Sequence, residues 1–158
     1  MLCEADIKVS WRTRPRGFVA LMSLYESNYL RFRHLAGEPA QLRGILISRV
    51  QGDCELRLEV LERMPYTSML TLTYALPASG PTSEMGPYQW LPNLRLRVYH
   101  DARLLEADEL RKAPTKENSL SRRGPHPGER ELHQRWERNM MLNKWLEYCA
   151  ERGHRFTV

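Results

Sequence analysis

The stretch VYHDARLLEA at 98–107 sets an imidazole, His100, directly beside a carboxylate, Asp101. Histidine paired with a carboxylate is the chemistry of general acid–base catalysis, because the carboxylate raises the imidazole's pKa and fixes its orientation. Neighbouring side chains of an extended strand, however, point to opposite faces. In an unbroken strand His100 follows Leu94, Leu96 and Val98 inward, while Asp101 joins Arg95, Arg97, Tyr99 and Arg103 outward. Only a turn or bulge at Tyr99–Ala102 would let the two act together. A continuous or bulged strand is the preferred reading over a hairpin tip, so the adjacent pair is not taken as the chemistry.

The same alternation brings other polar groups into phase with the core. In ELRLEVLER (55–63), Leu56, Leu58 and Val60 share one face and Glu62 continues their series. Asn28 lies on the apolar stripe of the first expected helix. Asn28, Glu62 and His100 are therefore expected to converge between helix and sheet, with Tyr66 just after the Met64–Pro65 break. His100 and Glu62 are the catalytic candidates; Asn28, Glu62, Tyr66 and His100 are the ligand-binding candidates. The competing reading is a hydrogen-bonded cluster that fixes how the helix docks, because buried polar groups must be paired.

Other chemistry finds less support. His34, His126, His133 and His154 lack ligand-spaced partners, and Cys3, Cys54 and Cys149 are widely separated, so no metal site is expected. No G-x-S-x-G, G-x-G-x-x-G or G-x-x-x-x-G-K-[ST] motif occurs, and no cofactor is expected.

These residues need elements to hold them. The spacing of Phe18, Met22, Tyr25, Tyr29, Phe32 and Ala36 predicts a helix over 18–35 stopped by Gly37, with Leu21, Leu24, Asn28 and Leu35 beside the stripe. Strands are predicted at 43–50, 55–63 and 66–74, with a turn at 51–53 and a loop at 77–87. A further strand runs through 94–107. A second helix at 131–153 carries Leu132, Trp136, Met140 or Met141, Trp145, Tyr148 and Cys149, and Gly153 caps it. The order predicts an α+β fold: an antiparallel sheet of four to five strands with the N-terminal and C-terminal helices packed on one face. The organisation is a basic arm at 1–17, one domain at 18–153 with a mobile connector at about 112–130, and a tail at 154–158.

Composition narrows the classes. The chain has 158 residues, 42% hydrophobic and 27% charged, which suits one globular domain. No apolar run approaches the ~20 residues of a membrane helix, and no signal-peptide core is visible at the start, so the expected location is cytoplasmic. The formal net charge is +5. Residues 1–17 carry a net +2 and residues 111–130 a net +4, which leaves the body at −1. Positive charge on an arm and a connector can touch phosphates without reading sequence.

Four stretches carry a resemblance: LYESNYLRFRHL (24–35), ERMPYTSMLTLT (62–73), LPNLRLRVYHDARLLEA (91–107) and the segment from Leu132 to Gly153. They resemble the YqiB-like bacterial proteins, domain of unknown function 1249, over most of residues 21–153. The most telling positions are Glu26, Asn28-Tyr29, Glu62, Tyr66-Thr67, Tyr99 to Ala102, Glu106 and Trp145-Leu146. The resemblance implies a small cytoplasmic bacterial protein and brings no activity with it. The last helix is about three residues shorter than the family's between Glu137 and Trp145. Three functions stay open: a non-enzymatic binding or regulatory module with a polar-lined groove between the first helix and the sheet; a small enzyme using His100 and Glu62; and, last, a weak nucleic-acid-associated protein using the arm and connector. The partner of the first would be a small ligand or a protein, and no membrane is involved.

Overall fold

The computed structural model describes residues 17–77, 88–110 and 127–157. The basic arm, the 78–87 loop and most of the connector therefore lie outside the described residues. Helix α1 spans Phe18–Ala36 and α2 spans Pro127–Glu151, so the last residues assigned to the connector already belong to the helix. Between them lie β1 (Ile45–Ser48), β2 (Glu55–Arg63), β3 (Thr67–Pro77), β4 (Tyr88–Tyr99) and β5 (Leu104–Leu110). The strands form one antiparallel sheet in chain order, β1-β2-β3-β4-β5.

The alternation in the sequence sets the sheet's inner face. Leu56, Leu58, Leu70, Leu72, Leu94, Leu96 and Val98 are buried, and Val60 is packed against them. Arg57, Glu59, Arg95 and Arg97 stand on the opposite face, half-buried or better exposed. Tyr29, Phe32 and Leu35 of α1 and Leu142, Trp145, Leu146 and Cys149 of α2 close the inner face. Both helices cover the same side, as expected.

Details of the helix faces differ from the expected stripes. Phe18 is 70% exposed and Met22 only partly buried, while Leu21, Leu24 and Asn28 take the inward positions. In α2 Met140 packs and Met141 and Tyr148 are exposed, with Leu142 and Asn143 inward instead. Gly37 ends α1 at φ 76, a left-handed backbone that glycine adopts without a steric penalty.

The expected strand over 94–107 is two strands. Residues 100–103 form a turn, with Arg103 in the left-handed region at φ 54, and β5 folds back antiparallel on β4. Alternation alone cannot distinguish one long strand from two joined by a tight turn, because the apolar pattern resumes on both sides.

Candidate functional site

A β-bulge decides where Glu62 goes. Val60 is opposite Leu70, but Glu62 is opposite Met69, so Leu61 is the extra residue. One inserted residue reverses the phase of everything after it. Glu62 is thereby carried to the outer face and exposed, and Arg63 takes the inward phase, donating to the Ala40 carbonyl. The inward position expected for Glu62 is corrected on this ground.

His100 keeps its expected direction. Its backbone N–H donates to the Tyr66 carbonyl at 2.9 Å, and its Nε2 lies 2.8 Å from Ser68 Oγ on the inner face. Its Nδ1 has no partner. Asp101 is exposed in the turn, and the Tyr66 side chain is exposed as well. Neither a hydrogen bond nor an ion pair joins Glu62 to His100.

Asn28 is fully buried and has partners of its own. Its Nδ2 donates to the Leu105 carbonyl and to Asn139 Oδ1, at 3.4 and 3.3 Å. Asn139 Oδ1 also accepts the Ala107 N–H at 2.8 Å, and Asn143 Nδ2 donates to Asn28 Oδ1 and Ser27 Oγ. β5 is a sheet edge, so these backbone groups lack a neighbouring strand. Two helix asparagines take the place of that strand. This amide set was missed apart from Asn28, although Asn139 and Asn143 stand four apart on the helix's inner face, which is the signal that could have found them.

The Asn28, Glu62 and His100 side chains thus go to three separate places. The structure assembles two other polar groupings instead. The first joins β1 and the β1–β2 turn to residues beyond α2. His154, fully buried, sits 2.9 Å from Ser48 Oγ through Nδ1 and 2.9 Å from Asp53 Oδ2 through Nε2. Tyr74 donates to the same Asp53 oxygen, and the Cys54 N–H donates to the other at 2.8 Å. Burial raises the Asp53 pKa, but the bonds from Tyr74, the Cys54 N–H and His154 together outweigh it and hold the carboxyl below its ordinary value. Serine, histidine and aspartate in hydrogen-bonded sequence are the residue types of a nucleophilic triad. Here Ser48 is buried and also accepts the Arg155 N–H, so its oxygen is spent on holding the chain end. Nothing about His154 in the sequence signalled this role, because its partners lie a hundred residues away.

Beneath this group, burial first and then the Asp53 charge push the Cys149 thiol up to about 12. In a Cys3→Ser variant, a thiol reagent at about pH 8 is expected to modify half-buried Cys54 and spare Cys149 until the protein is unfolded. Equal labelling of both thiols in the native protein would contradict this packing.

The second grouping lies where α1 and α2 meet β5. Glu106 is only 6% exposed, yet it is a carboxylate. Tyr99 donates to its Oε1 at 2.7 Å, and Arg97 lies 4.0 Å from the same oxygen and 3.2 Å from Asp108. Glu106 is opposite Arg97 and so shares the outer face, and at this sheet edge Tyr25 of α1 and Arg135 of α2 also lie against it. The Tyr25 hydroxyl is buried against Glu106 and Arg135 but makes no hydrogen bond of good geometry. Burial, followed by the neighbouring Glu106 charge, raises the Tyr25 pKa, so it stays a phenol and a donor. Tyr99 is raised by burial and by its bond to Glu106. The result is a carboxylate flanked by two phenols and two guanidiniums, an arrangement suited to holding a polar molecule in a chosen orientation.

Among the described residues, no cluster of His, Cys, Asp or Glu could hold a metal, and no helix is long and apolar enough to cross a membrane.

Comparison with known proteins gives a family and no activity. A family model described as "Protein of unknown function (DUF1249)" matches residues 31–155. Proteins called "Uncharacterized protein YqiB" in Escherichia coli K12 and in Escherichia coli O157:H7 are each 29% identical over 139 residues, which is 86% of this chain and 90% of theirs. No solved structure matches.

Proposed function

We propose, for a chain that belongs to the DUF1249 family of proteins of unknown function, that it is a non-enzymatic binding module. Its polar-lined site lies at the β5 edge beside the first helix, at Glu106 on the sheet's outer face, rather than at Glu62. The observation that carries this reading is the Tyr25 hydroxyl, buried against the Glu106 carboxylate and Arg135 without a well-aligned hydrogen bond to either. A buried donor left wholly unpaired costs about 1–3 kcal/mol and a misaligned one part of that, and a ligand acceptor would satisfy it. The ligand is a small polar molecule offering an N–H to Glu106 and an acceptor to Tyr25. Arg97 and Arg135 would bracket an anionic group on the same molecule, which favours amino-acid-like or amide-bearing compounds.

The experiment is a thermal-shift screen of such compounds against the wild type and Tyr25→Phe. A ligand at a hundred times its dissociation constant adds about 2.7 kcal/mol, which in a domain of this size moves the melting temperature by roughly 5–10 °C. Tyr25→Phe is expected to melt close to the wild-type temperature without ligand, because the hydroxyl it removes makes no well-aligned bond, and to lose most of the ligand shift. A Tyr25→Phe protein that melts well below the wild type would mean the hydroxyl is structural and would sink this reading.

The acid–base alternative with His100 and Glu62 has no observation in its favour, since Glu62 is exposed on the outer face. The arm that the nucleic-acid alternative needs, and most of the connector, fall outside the described residues.

A further inference from the structure

The two edges of the sheet are finished differently. At β5, Asn28 and Asn139 meet the free backbone groups of Leu105 and Ala107. At β1 the Val60 N–H donates to the Gly44 carbonyl at 2.9 Å, and Ile45–Ser48 pairs with Glu59–Leu56. Bonded and unbonded positions alternate in an antiparallel ladder, so Leu46 and Ser48 also bond towards β2. The N–H and C=O of Ile45 and Ile47 must therefore point away from it. Among the described residues, nothing bonds to them. The side chains of Ile45 and Ile47 stand on the outer face, 50% and 43% exposed. Ile45–Ser48 carries no lysine, proline or bulge, the devices that normally discourage pairing at an edge.

We propose that this edge pairs with the same edge of a second copy, β1 against β1 about a two-fold axis at Leu46, joining two five-stranded sheets into one. Residues opposite each other in an antiparallel pair share a face and, at bonded positions, exchange both hydrogen bonds. Those conditions set Ile45 opposite the partner's Ile47, and Leu46 opposite the partner's Leu46. A slip by one residue would set outward side chains against inward ones. A slip by two would leave an isoleucine of each copy opposite Arg43 or Arg49.

Charge fits the same register. Ile47 is beside Arg57 in its own chain and Ile45 is beside Glu59. Each row across the seam thus runs from Arg57 through two isoleucines to the partner's Glu59, one cation to one anion. Arg43 would face the partner's Arg49, and that guanidinium is already neutralised by Glu55 at 2.8 Å. This self-complementarity favours a second copy over an unrelated strand.

The test is sedimentation velocity of the full chain over a range of concentrations. Dimers are expected, and Ile45→Lys with Ile47→Lys should convert them to monomers with the circular dichroism spectrum unchanged. Register is read by crosslinking in a Cys3→Ser, Cys54→Ser background. At an unbonded pair the Cα atoms are about 4.5 Å apart, within reach of a disulfide, so Leu46→Cys should crosslink readily and Ile45→Cys poorly. If Leu46→Cys does not fold, mixing Ile45→Cys with Ile47→Cys protein should give the crosslinked heterodimer. A monomer at the highest soluble concentration would overturn the proposal. So would a dimer indifferent to the two lysines.

Discussion

His154→Ala is expected to destabilise the protein by about 2–4 kcal/mol, combining a buried carboxylate left short of a hydrogen-bond partner with the cavity left by the ring. The imidazole is fully buried and touches Ser48 and Asp53 at 2.9 Å each. Without it the Asp53 carboxylate, whose side chain is 9% exposed, keeps its charge and loses a donor. Ser48 loses its partner as well, and with it the hold on the chain end, where the Phe156 N–H meets the Leu35 carbonyl. Urea denaturation followed by circular dichroism measures the loss. Glu62→Gln serves as the control, because an exposed side chain outside any network should change stability by no more than about 0.5 kcal/mol. A His154→Ala protein as stable as that control would show that the His154 network contributes nothing.

The same network fixes an acid dependence. The folded Asp53 pKa is lowered, so its contribution is complete above the ordinary aspartate value of about 3.9 and is lost as pH falls through the folded value. Tyr74 does not compete in this range, since burial and its bond to Asp53 raise its pKa and keep it a donor. Asp53→Asn should therefore be less stable than the wild type at neutral pH and should lose less on acidification below about pH 4.

Why His154 escaped the sequence reading is a matter of range. A hydrogen-bonded group formed by residues 48, 53, 74 and 154 leaves no local spacing, whereas α1 and β2 announce themselves within ten residues. The inner-face leucines of β2, β3 and β4 were legible because a two-residue period repeats itself and tolerates error. Glu62 was not, because one extra residue at Leu61 erases the period and no composition cue marks the bulge. The turn at 100–103 was hidden for a related reason: Arg103 holds a left-handed backbone that would ordinarily be given to glycine or asparagine. Asn28 was legible as an intruder on an apolar stripe. Its partners became visible only once α2 was laid against β5.

Those partners set the last expected result. Asn139→Ala costs about 2–4 kcal/mol, combining an unpaired buried N–H at Ala107 with the cavity left by the side chain. The Asn139 carbonyl oxygen serves two donors, Ala107 N–H at 2.8 Å and Asn28 Nδ2 at 3.3 Å, while its amide bonds the Arg135 carbonyl. Asn28→Ala should cost less, because it orphans no backbone N–H: the Leu105 carbonyl it leaves is bonded at only 3.4 Å, and Asn143 Nδ2 keeps Ser27 Oγ when it loses Asn28 Oδ1. The two losses should not add, since each substitution already breaks the bond between the two amides; the shortfall in the double variant measures that bond. Hydrogen exchange separates the edge from general loosening. With Asn139→Ala the Ala107 amide should lose its protection selectively, while the β2 and β3 amides keep theirs after correction for global stability. If Ala107 stays protected, a different group covers the β5 edge, and the helices are held by packing alone.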